Sequence, residues 1–594
     1  MAGGNYTSVS VPDAYKGFNG GLNSQAGPLS VQDNESSDLQ NIDFDKFGSI
    51  LKRNGYRVLS TASVVGANQS DGLQWYEFVS SGTMTRYLVN VCGGKVYYMD
   101  SLDGTWIDIS GSVAPTATNH CDFENFNNIM FGTNGVTVPF QWDGTGNAIA
   151  VPAFTANAVT FLVSGVTTAP AVGATYTNGG GTFTITYQNL TGAATELAGS
   201  VIGTWDLAGT PEQTGTLTNT AGTGDATIDY TNATINANIQ SARFVKVFNN
   251  YLFWANVVVA GTSFKTRIYW SNIRDTTSVA GDSWIEVGLN DGQEITGLRV
   301  LADRLVIYKE RSIYNVYFSG DADVPFIMPG GGKSTSNVGC IAPWSIQEVE
   351  NAHIFLAPDG LYIYDGSGST KISYRISNTL ESFNAAQFQN SVSTTYRVKN
   401  KYMLSFCSTG STMDIIIIWD YYNNAFSIYK GMAPSAMVTV FANGHTEQPY
   451  FADYAGYTYQ MEYGNSDYPL GTKTAIDAYY WTNWRNYQDL CDQKGIAQMY
   501  LYYRLDSTTL TFAYSYDFEA VSQFSNTISL FTGASLYGTA LYGTGVYAGS
   551  SGATQRIDTT GRGRVIRMKF SNAIADETFR IDGLGTLTHL ETNV

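Results

Sequence analysis

Short runs of alternating apolar and polar residues, separated by tight turns, recur along most of the chain. Residues 86–109 form two such runs around the turn Gly93-Gly94, and residues 122–142 form two more around an Asn-Asn turn. Alternating strands joined by such turns are typical of β-hairpins. Comparable units return between residues 242 and 462, which gives six or seven units spaced about 35 to 55 residues apart.

A unit of this kind is a small twisted sheet whose faces become buried only when neighbouring units stack around an axis. The series therefore predicts an all-β protein built on a degenerate β-propeller of six to seven blades. Unrelated β-sandwich domains in tandem are the alternative. The predicted propeller comprises residues 61–152 and 241–465.

The series is interrupted between residues 153 and 240. This segment is rich in Thr, Ala and Gly, is poor in Lys and Arg, and lacks the aromatic–Asp–Gly ending of the other units. Such a change of composition predicts an inserted β-domain, sandwich-like, that projects from a loop of the propeller.

The alternation becomes longer after residue 465. Residues 466–594 contain strongly aromatic strands and a Gly-rich stretch in which Tyr537, Tyr542 and Tyr547 recur every five residues. This pattern predicts a C-terminal β-sandwich with one Gly/Tyr loop.

The first 60 residues have no sustained helical or alternating period. They contain the turns Gly20-Gly21 and Gly27-Pro28 and a polar, acidic run at residues 33–38. Residues 1–60 are therefore predicted to be an N-terminal docking arm, mobile in the free subunit and ordered on assembly. An irregular arm that only covers a sheet edge is the alternative.

Composition and charge narrow the classes of function. Charged residues are 14% of the 594, aromatic residues are also 14%, and there are 61 glycines, a balance that favours short strands and tight turns. The chain has 33 basic and 50 acidic residues, a net charge of −17, which argues against a surface that grips nucleic acid or an anionic membrane. The five cysteines are too far apart for a metal clamp or a disulfide framework, and we expect neither an export signal nor a membrane span.

Residues for catalysis are sparse. The four histidines have no metal-ligand spacing, and no GxSxG motif occurs. The Asp-Gly pairs at residues 103, 359 and 365 could supply carboxylates to a glycosidase, but Asp-Gly is also common turn chemistry in hairpins. We therefore predict no enzyme activity and no catalytic, metal-binding or cofactor-binding residues. The four histidines are His120, His353, His445 and His589.

Basic residues cluster near the C-terminus of this acidic chain. Arg562, Arg564 and Arg567 lie within six residues, between Arg556 and Lys569. Such a cluster could touch DNA, but in a chain of net charge −17 it favours pairing with an acidic surface on a neighbouring subunit.

Two segments of the sequence carry a resemblance to a known family. One segment lies in the C-terminal part of the chain and comprises the motifs YYWTNW at 479–484, YSYDF at 514–518 and GRGRVIRMKFSN at 561–572. The other lies near the N-terminus and consists of Gly20, Gly21, Leu22, Asn23, Asp33, Glu35, Leu39, Asn41, Gly48, Ile50, Lys52, Arg53 and Gly55. Both resemble the corresponding parts of the nozzle-type tail proteins of short-tailed bacteriophages, also called tail tubular protein B.

The resemblance implies a structural virion protein that forms a homo-oligomeric ring of six copies, the nozzle or lower tail tube, through which DNA is ejected. The net charge of −17 predicts that the DNA passes without tight binding. It implies adaptor or portal-side tail proteins and tail fibre or spike proteins as partners, assembly in the host cytoplasm and a final place in the virion tail. A carbohydrate-binding or carbohydrate-cleaving propeller of the virion, and an adhesin that contacts the host receptor through residues 153–240, are the alternatives. The predicted assembly interface consists of Gly20, Gly21, Leu22, Asn23, Lys52, Arg53, Arg562, Arg564 and Arg567.

Overall fold

A computed structural model describes residues 8–64, 68–80, 82–100, 102, 105–178, 181–193, 196–206, 210–442, 446–487, 490–504, 507–520, 522, 524–530 and 552–591. The Gly/Tyr loop, the Asp103-Gly104 turn and His445 lie outside the described residues. Within the described ranges, α-helix is limited to α1 (Ser377–Glu381). Short 3-10 helices occupy Pro152–Phe154, Pro329–Gly331, Pro343–Ser345, Tyr374–Ile376, Ala385–Asn390, Arg397–Lys399 and Pro469–Gly471.

The N-terminal segment and the first two blades use the strands up to residue 150. The N-terminal strands are β1 (Ser8–Tyr15), β2 (Gly21–Leu22), β3 (Glu35–Ser36), β4 (Asp38–Gln40), β5 (Ile42–Phe44), β6 (Ile50–Lys52) and β7 (Tyr56–Val58). Blade 1 contains β8 (Ser70–Ser80), β9 (Thr83–Cys92), β10 (Lys95–Met99) and β11 (Ile107–Asp108). Blade 2 contains β12 (Asp122–Phe126), β13 (Ile129–Thr133), β14 (Phe140–Trp142) and β15 (Ile149–Ala150).

The insertion follows blade 2 and forms a six-stranded barrel. Its strands are β16 (Ala158–Val166), β17 (Thr175–Asn178), β18 (Gly181–Thr191), β19 (Leu197–Trp205), β20 (Gly215–Ala221) and β21 (Thr227–Ile235). They close in the order β16-β19-β18-β17-β20-β21, around a core in which the Phe161 ring lies 4.8 Å from Phe183 and 4.7 Å from Tyr230. The inserted β-domain was predicted, but its sandwich-like form was wrong: β21 returns to pair with β16, and closure leaves no free sheet edge.

Blades 3 to 7 follow the barrel. Blade 3 contains β22 (Ile239–Phe248), β23 (Tyr251–Val259), β24 (Thr262–Trp270) and β25 (Trp284–Glu286). Blade 4 contains β26 (Ile295–Leu301), β27 (Arg304–Lys309), β28 (Ile313–Phe318) and β29 (Phe326–Ile327). Blade 5 contains β30 (Gln347–Val349), β31 (Ala352–Ala357), β32 (Gly360–Tyr364) and β33 (Ser369–Lys371). Blade 6 contains β34 (Ser393–Tyr396), β35 (Lys401–Phe406), β36 (Ile415–Asp420) and β37 (Ala425–Lys430). Blade 7 contains β38 (Ala436–Ala442), β39 (Thr446–Ala452) and β40 (Thr458–Met461), completed by β7.

The propeller therefore has seven four-stranded antiparallel blades among the described residues, which confirms the predicted fold class. The first strand of each blade lies innermost, and β38 of blade 7 packs against β8 of blade 1 to close the ring. The closure is reinforced from the N-terminal side, because β7 pairs with β40 as the outer strand of the last blade.

Local turn chemistry explains why the blades form. Both residues of the Asn127-Asn128 turn have positive φ values of 51° and 61°, and those of the Gly93-Gly94 turn have 58° and 78°. Two-residue turns with positive φ at both positions match the twist of the flanking strands, and Asn and Gly adopt them at low cost. The hairpins expected at Gly93-Gly94 and at Asn127-Asn128 are therefore observed.

The C-terminal domain is a sandwich of two sheets. Its strands are β41 (Ala478–Trp481), β42 (Gln493–Arg504), β43 (Thr509–Tyr516), β44 (Phe524–Ser529), β45 (Gly552–Asp558), β46 (Ile566–Asn572) and β47 (Arg580–Glu591). One sheet has the order β4-β41-β46-β43-β44, and the other has β45-β42-β47-β6-β5 with β1 also paired to β47. Strands from both ends of the chain thus build one domain.

The N-terminal segment is part of this sandwich in the single chain, contrary to the expectation of an arm that orders only on assembly. Phe18 is fully buried, with its ring 5.6 Å from Tyr480 and 6.0 Å from Phe570. Leu39 and Ile42 are also buried in the same core, which continues into blades 5 and 6. A buried aromatic side chain stabilises by several kcal/mol, about 3 to 5 when lost to alanine, so this segment orders against its own chain.

Candidate assembly site

The motif glycines lie where backbones approach closely. Gly21 has a φ of 76°, and a Cβ atom there would lie 2.5 Å from the backbone nitrogen of Phe426 in blade 6. At Gly20, a Cβ atom would lie 2.7 Å from Cγ of Glu35. A side chain at Gly21 would therefore push the N-terminal segment away from blade 6, and one at Gly20 would push apart the two strands within that segment.

The residues after the glycines secure the segment to the connection between blades 5 and 6. Leu22 is buried in the shared core, and Asn23 Nδ2 donates to Oε2 of Glu35 at 2.7 Å. Arg375 Nε lies 3.3 Å from Oε1 of the same buried carboxylate. These predicted interface residues therefore contact their own chain, and any role between subunits stays a prediction.

Lys52 joins the two segments that carry the family resemblance. Its side chain is buried, and Nζ donates to Oδ1 of Asn572 at 2.8 Å and to the carbonyl oxygen of Ile574 at 3.0 Å. Burial, with the charge of Arg53 nearby, lowers the pKa of Lys52 to about 8. The ammonium group is thus held by neutral oxygen atoms inside the sandwich.

Arg53 links the N-terminal segment to the propeller. Its guanidinium forms a bidentate pair with Asp467, Nη1 to Oδ1 and Nη2 to Oδ2, both at 2.8 Å. The other three N–H groups donate to Oδ1 of Asn41 and to the carbonyl oxygens of Asn54 and Lys430, at 2.9 to 3.0 Å. All five donors are satisfied, and the two side chains are 1% and 7% exposed. Burial alone would lower the pKa of Arg53, but Asp467 outweighs it and raises that pKa.

A second buried ion cluster lies beside it. Lys401 Nζ of blade 6 donates to Asp43 Oδ2, Tyr429 Oη and Glu462 Oε1, at 2.7, 2.8 and 2.7 Å. Lys399 Nζ donates to the other oxygen of Glu462 at 2.5 Å. Burial opposes ionisation of Glu462, but these two ammonium groups prevail and lower its pKa to about 2. Together with the pair of Arg53 and Asp467, this cluster forms what we call the latch between the sandwich and blades 6 and 7.

The outer face of the β4-β41-β46 sheet carries a row of alternating cations and aromatic rings. The guanidinium carbon of Arg567 lies 4.1 Å from the Trp481 ring centre and 4.6 Å from that of Trp484. Lys569 Nζ lies 4.5 Å from the Tyr479 ring centre and 5.5 Å from that of Trp481. Neither cation forms an ion pair with a carboxylate in the described part of the chain. Cations held over ring faces remain charged while their stems are packed.

Two further predicted arginines precede β46 and lie beside the start of β42 in the other sheet. Arg562 and Arg564 are exposed, and Arg564 Nε donates to the carbonyl oxygen of Cys491 at 3.2 Å. Arg567 is half-buried, and burial lowers its pKa. We call Arg567 and Lys569 the basic face. Sequence analysis found its cations, but the aromatic partners became apparent only once β41 was placed beside β46.

The centre of the propeller holds a cavity of about 340 Å³ lined by residues of all seven blades. Asp122 Oδ2 accepts from the backbone N–H of Val245 at 3.0 Å, and its Oδ1 lies 3.7 Å from Arg299. Asp71 accepts from the backbone N–H of Thr118 at 3.0 Å, and burial raises its pKa to about 7. These carboxyl groups are tied to the blade framework.

His120 and His353, the propeller histidines within the described ranges, are neutral at pH 7. Burial lowers the pKa of His120 and that of His353 to about 4 in each case. His353 bridges Tyr308 Oη and the carbonyl oxygen of Val300, which is a structural role. No group of three or more His, Cys, Asp or Glu side chains that could hold a metal ion occurs among the described residues. The expected absence of enzyme activity stays a prediction.

The Asp-Gly turns within the described ranges behave as turns. Oδ1 of Asp365 accepts from the backbone N–H groups of Ser367 and Gly368 at 2.8 and 3.0 Å. Four of the five cysteines are buried, whereas Cys491 is exposed. In the described part of the chain, no helix is long and apolar enough to cross a membrane.

Comparison with known proteins adds little beyond the fold. No family model matches the chain, and no curated protein matches it. One similar solved structure is PorZ, a surface component of the type-IX secretion system of Porphyromonas gingivalis, with 10% sequence identity and a TM-score of 0.34. The match covers 74% of this chain and 44% of the PorZ chain. YCF48 bound to D1 peptide is 9% identical with a TM-score of 0.31, covering 69% of this chain and 95% of that one.

The WD40 domain of Pan2 from Neurospora crassa is 7% identical with a TM-score of 0.27, covering 70% of this chain and 97% of that one. Likenesses this distant carry no argument about function. The assignment of seven blades depends on the strand pairing within the chain itself.

Proposed function

We propose that the chain is a structural subunit of the tail of a short-tailed bacteriophage, one of several copies in a ring-shaped nozzle through which DNA is ejected. The observation that carries the proposal is the hydrogen bond between Lys52 and Asn572, at 2.8 Å. These residues belong to the two segments that resemble the nozzle family, and they are 520 positions apart in the sequence. Two separate resemblances that converge on one contact favour a shared terminal domain over two chance matches.

The charge of the chain supports a passive role toward DNA. A net charge of −17 disfavours tight binding of a polyanion, whereas several Lys or Arg contacts to phosphates would hold DNA through counterion release. The proposed mechanism is mechanical and electrostatic: a rigid, acidic subunit bounds a passage without gripping what passes. The implied partners are further copies of the chain and the neighbouring tail proteins.

The proposal is tested by imaging the purified protein at about 0.1 M salt, where charges are screened over about 10 Å. We expect a closed ring with a through-channel and negligible retention of double-stranded DNA in a gel-shift assay. A monomer that releases reducing ends from host polysaccharide would contradict the proposal and favour the carbohydrate-cleaving alternative. Tight DNA binding that falls steeply with salt would instead favour a connector that holds the genome end.

A further inference from the structure

The cavity at the propeller axis has the size and position of a small-molecule site. Its volume of about 340 Å³ lies within the range of roughly 300 to 1,000 Å³ that is typical of ligand pockets. The innermost strand of every blade contributes to its wall. Arg397 and Phe441 belong to this wall and are exposed, so the cavity meets solvent beside them.

Asp71 is a buried carboxyl group of this wall with one oxygen atom that has no protein partner. The residue is 1% exposed, and Oδ2 accepts from the backbone N–H of Thr118 at 3.0 Å, whereas Oδ1 has no hydrogen-bond partner among the described residues. The pairing of β8 with β9 shifts between Ser70 and Gly72, which makes Asp71 the extra residue of a β-bulge, and bulges re-aim side chains. Because buried polar atoms in native proteins almost always have partners, this oxygen indicates a donor supplied from outside the chain.

The charged groups of the wall disfavour a charged ligand. Lys246 is paired with Glu124, and Arg299 lies 3.7 Å from Asp122, so an anion would have to compete with carboxylates for both cations. An ammonium ion or a metal ion would meet as many cations as carboxyl groups in the wall. The balance therefore favours a neutral polar ligand. The six charged groups of the wall are Asp71, Asp122, Glu447, Lys246, Arg299 and Arg397.

The wall also combines hydrogen-bonding side chains with aromatic rings. Arg299 donates from Nη1 to the carbonyl oxygen of Leu298 at 2.8 Å, which uses one of its five N–H groups. The half-buried Trp344 has its ring centre 5.7 Å from that of His120. A sugar hydroxyl both donates and accepts, so it can pair with a carboxyl group or with a guanidinium, and the C–H face of a sugar packs on an aromatic ring. These groups around one cavity therefore match a saccharide.

We propose that the axial cavity of the propeller binds a neutral saccharide, with Asp71 and Arg299 as hydrogen-bond partners of its hydroxyl groups and Trp344 against its C–H face. The site goes beyond the role proposed for the chain in a phage tail, because it belongs to a single subunit and requires no ring. The proposal concerns binding alone, and no bond of the sugar is broken.

Isothermal titration of the purified chain tests the proposal with a panel of D-glucose, D-galactose, L-rhamnose and N-acetyl-D-glucosamine. We expect at least one of these sugars to bind with a dissociation constant of about 1 mM, the strength that the usual binding energy per atom gives a ligand of this size. Putrescine and phosphate are the charged probes, and we expect both to bind more weakly than the best sugar. The proposal is overturned if no sugar of the panel binds, or if a charged probe binds as tightly as the best sugar.

Two substitutions locate the bound sugar. Asp71→Asn keeps the shape of the side chain and an acceptor for Thr118 but replaces the second oxygen with an amide NH₂ group, so we expect at least about tenfold weaker binding. Trp344→Phe removes the indole from the wall, so the change in tryptophan fluorescence on adding the sugar should be lost. The matched control is Asp275→Asn, which should bind like the wild type. Asp275 also has one oxygen bonded, to Thr277, and one without a partner among the described residues, but it lies outside the cavity wall.

The outcomes separate this inference from the proposed function. Circular dichroism verifies that each variant is folded. Wild-type binding by Asp71→Asn, or an equal loss of binding in Asp71→Asn and Asp275→Asn, would overturn the assignment of the sugar to the cavity. If Asp71→Asn does not fold, an unchanged fluorescence response in Trp344→Phe overturns it instead. A protein that binds the sugar without forming a ring would retain this inference, and a ring that binds no sugar would refute this inference alone.

Discussion

Replacing Arg53 with methionine is expected to destabilise the protein more than any exposed charge removal. Methionine retains an apolar stem of similar length but donates no hydrogen bond. The change leaves the Asp467 carboxylate, 7% exposed, without its bidentate partner, and it removes the guanidinium donor from three further oxygen atoms. Removing one partner of a buried ion pair costs about 3 to 5 kcal/mol. Native proteins typically have a free energy of unfolding of about 5 to 15 kcal/mol, so this cost is a large fraction of the total.

The loss is measured as a free energy of unfolding in urea. Far-ultraviolet circular dichroism and tryptophan fluorescence must be followed together, because a chain with three domains need not unfold in one step. The matched control is Arg86→Met, which breaks a 2.9 Å pair with Glu77 whose side chains are 32% and 37% exposed. We expect that control to lose about 0 to 1 kcal/mol.

A double variant distinguishes an unpaired charge from general damage. Arg53→Met with Asp467→Leu removes both charges and replaces them with apolar groups, so we expect it to recover part of the stability lost by Arg53→Met alone. The reasoning is refuted if Arg53→Met costs no more than the Arg86→Met control. It is also refuted if adding Asp467→Leu makes the protein still less stable.

Three further predictions concern the contacts around the latch and the central cavity. Gly21→Ala should destabilise by about 2 to 4 kcal/mol in urea, because its φ is 76° and the new methyl group would meet Phe426. The pKa of Glu462 in the folded protein is about 2, below the ordinary 4.5, so its ionised side chain stabilises the fold above pH 4.5 and this stabilisation is lost as the pH falls toward 2. Glu462→Gln should make the free energy of unfolding less dependent on pH in that range. Asp71 has the opposite shift, from 3.8 to about 7, so the wild type should lose stability as the pH rises across that window. Asp71→Asn should remove this loss, and equal pH dependence in variant and wild type would contradict the assignment.

The propeller was accessible from the sequence because its signals are local. Each blade is a run of hairpins whose turn residues, such as Asn127-Asn128, lie within a few positions of the strands they join. The barrel could be predicted only in part from local patterns. Its strands are visible in the sequence, but closure depends on Val159 pairing with Ile235, 76 positions away, and no alternating pattern specifies that partner.

The N-terminal segment could not be placed from the sequence for a similar reason. Its strands β2 to β6 are two or three residues long, too short to show a period. Their partners are distant: Leu39 pairs with Tyr480, and Ile50 pairs with Ile581. The latch was missed as well, because nothing near Arg53 in the sequence indicates that Asp467 is its partner.

The position of the latch determines which experiments can test assembly. Gly21, Lys52 and Arg53 contact their own chain, so substitutions there are expected to disturb the sandwich before any contact between subunits is made. A failure of such variants to assemble would not separate a broken subunit from a broken interface. Exposed charges such as Glu196 differ, since this carboxylate forms no ion pair within the described ranges and can be reversed with less risk to the fold. The motif residues of the N-terminal segment therefore report on the fold of the terminal domain, and exposed charges without an ion pair in the described part of the chain are better suited to decide whether copies of this chain form a ring.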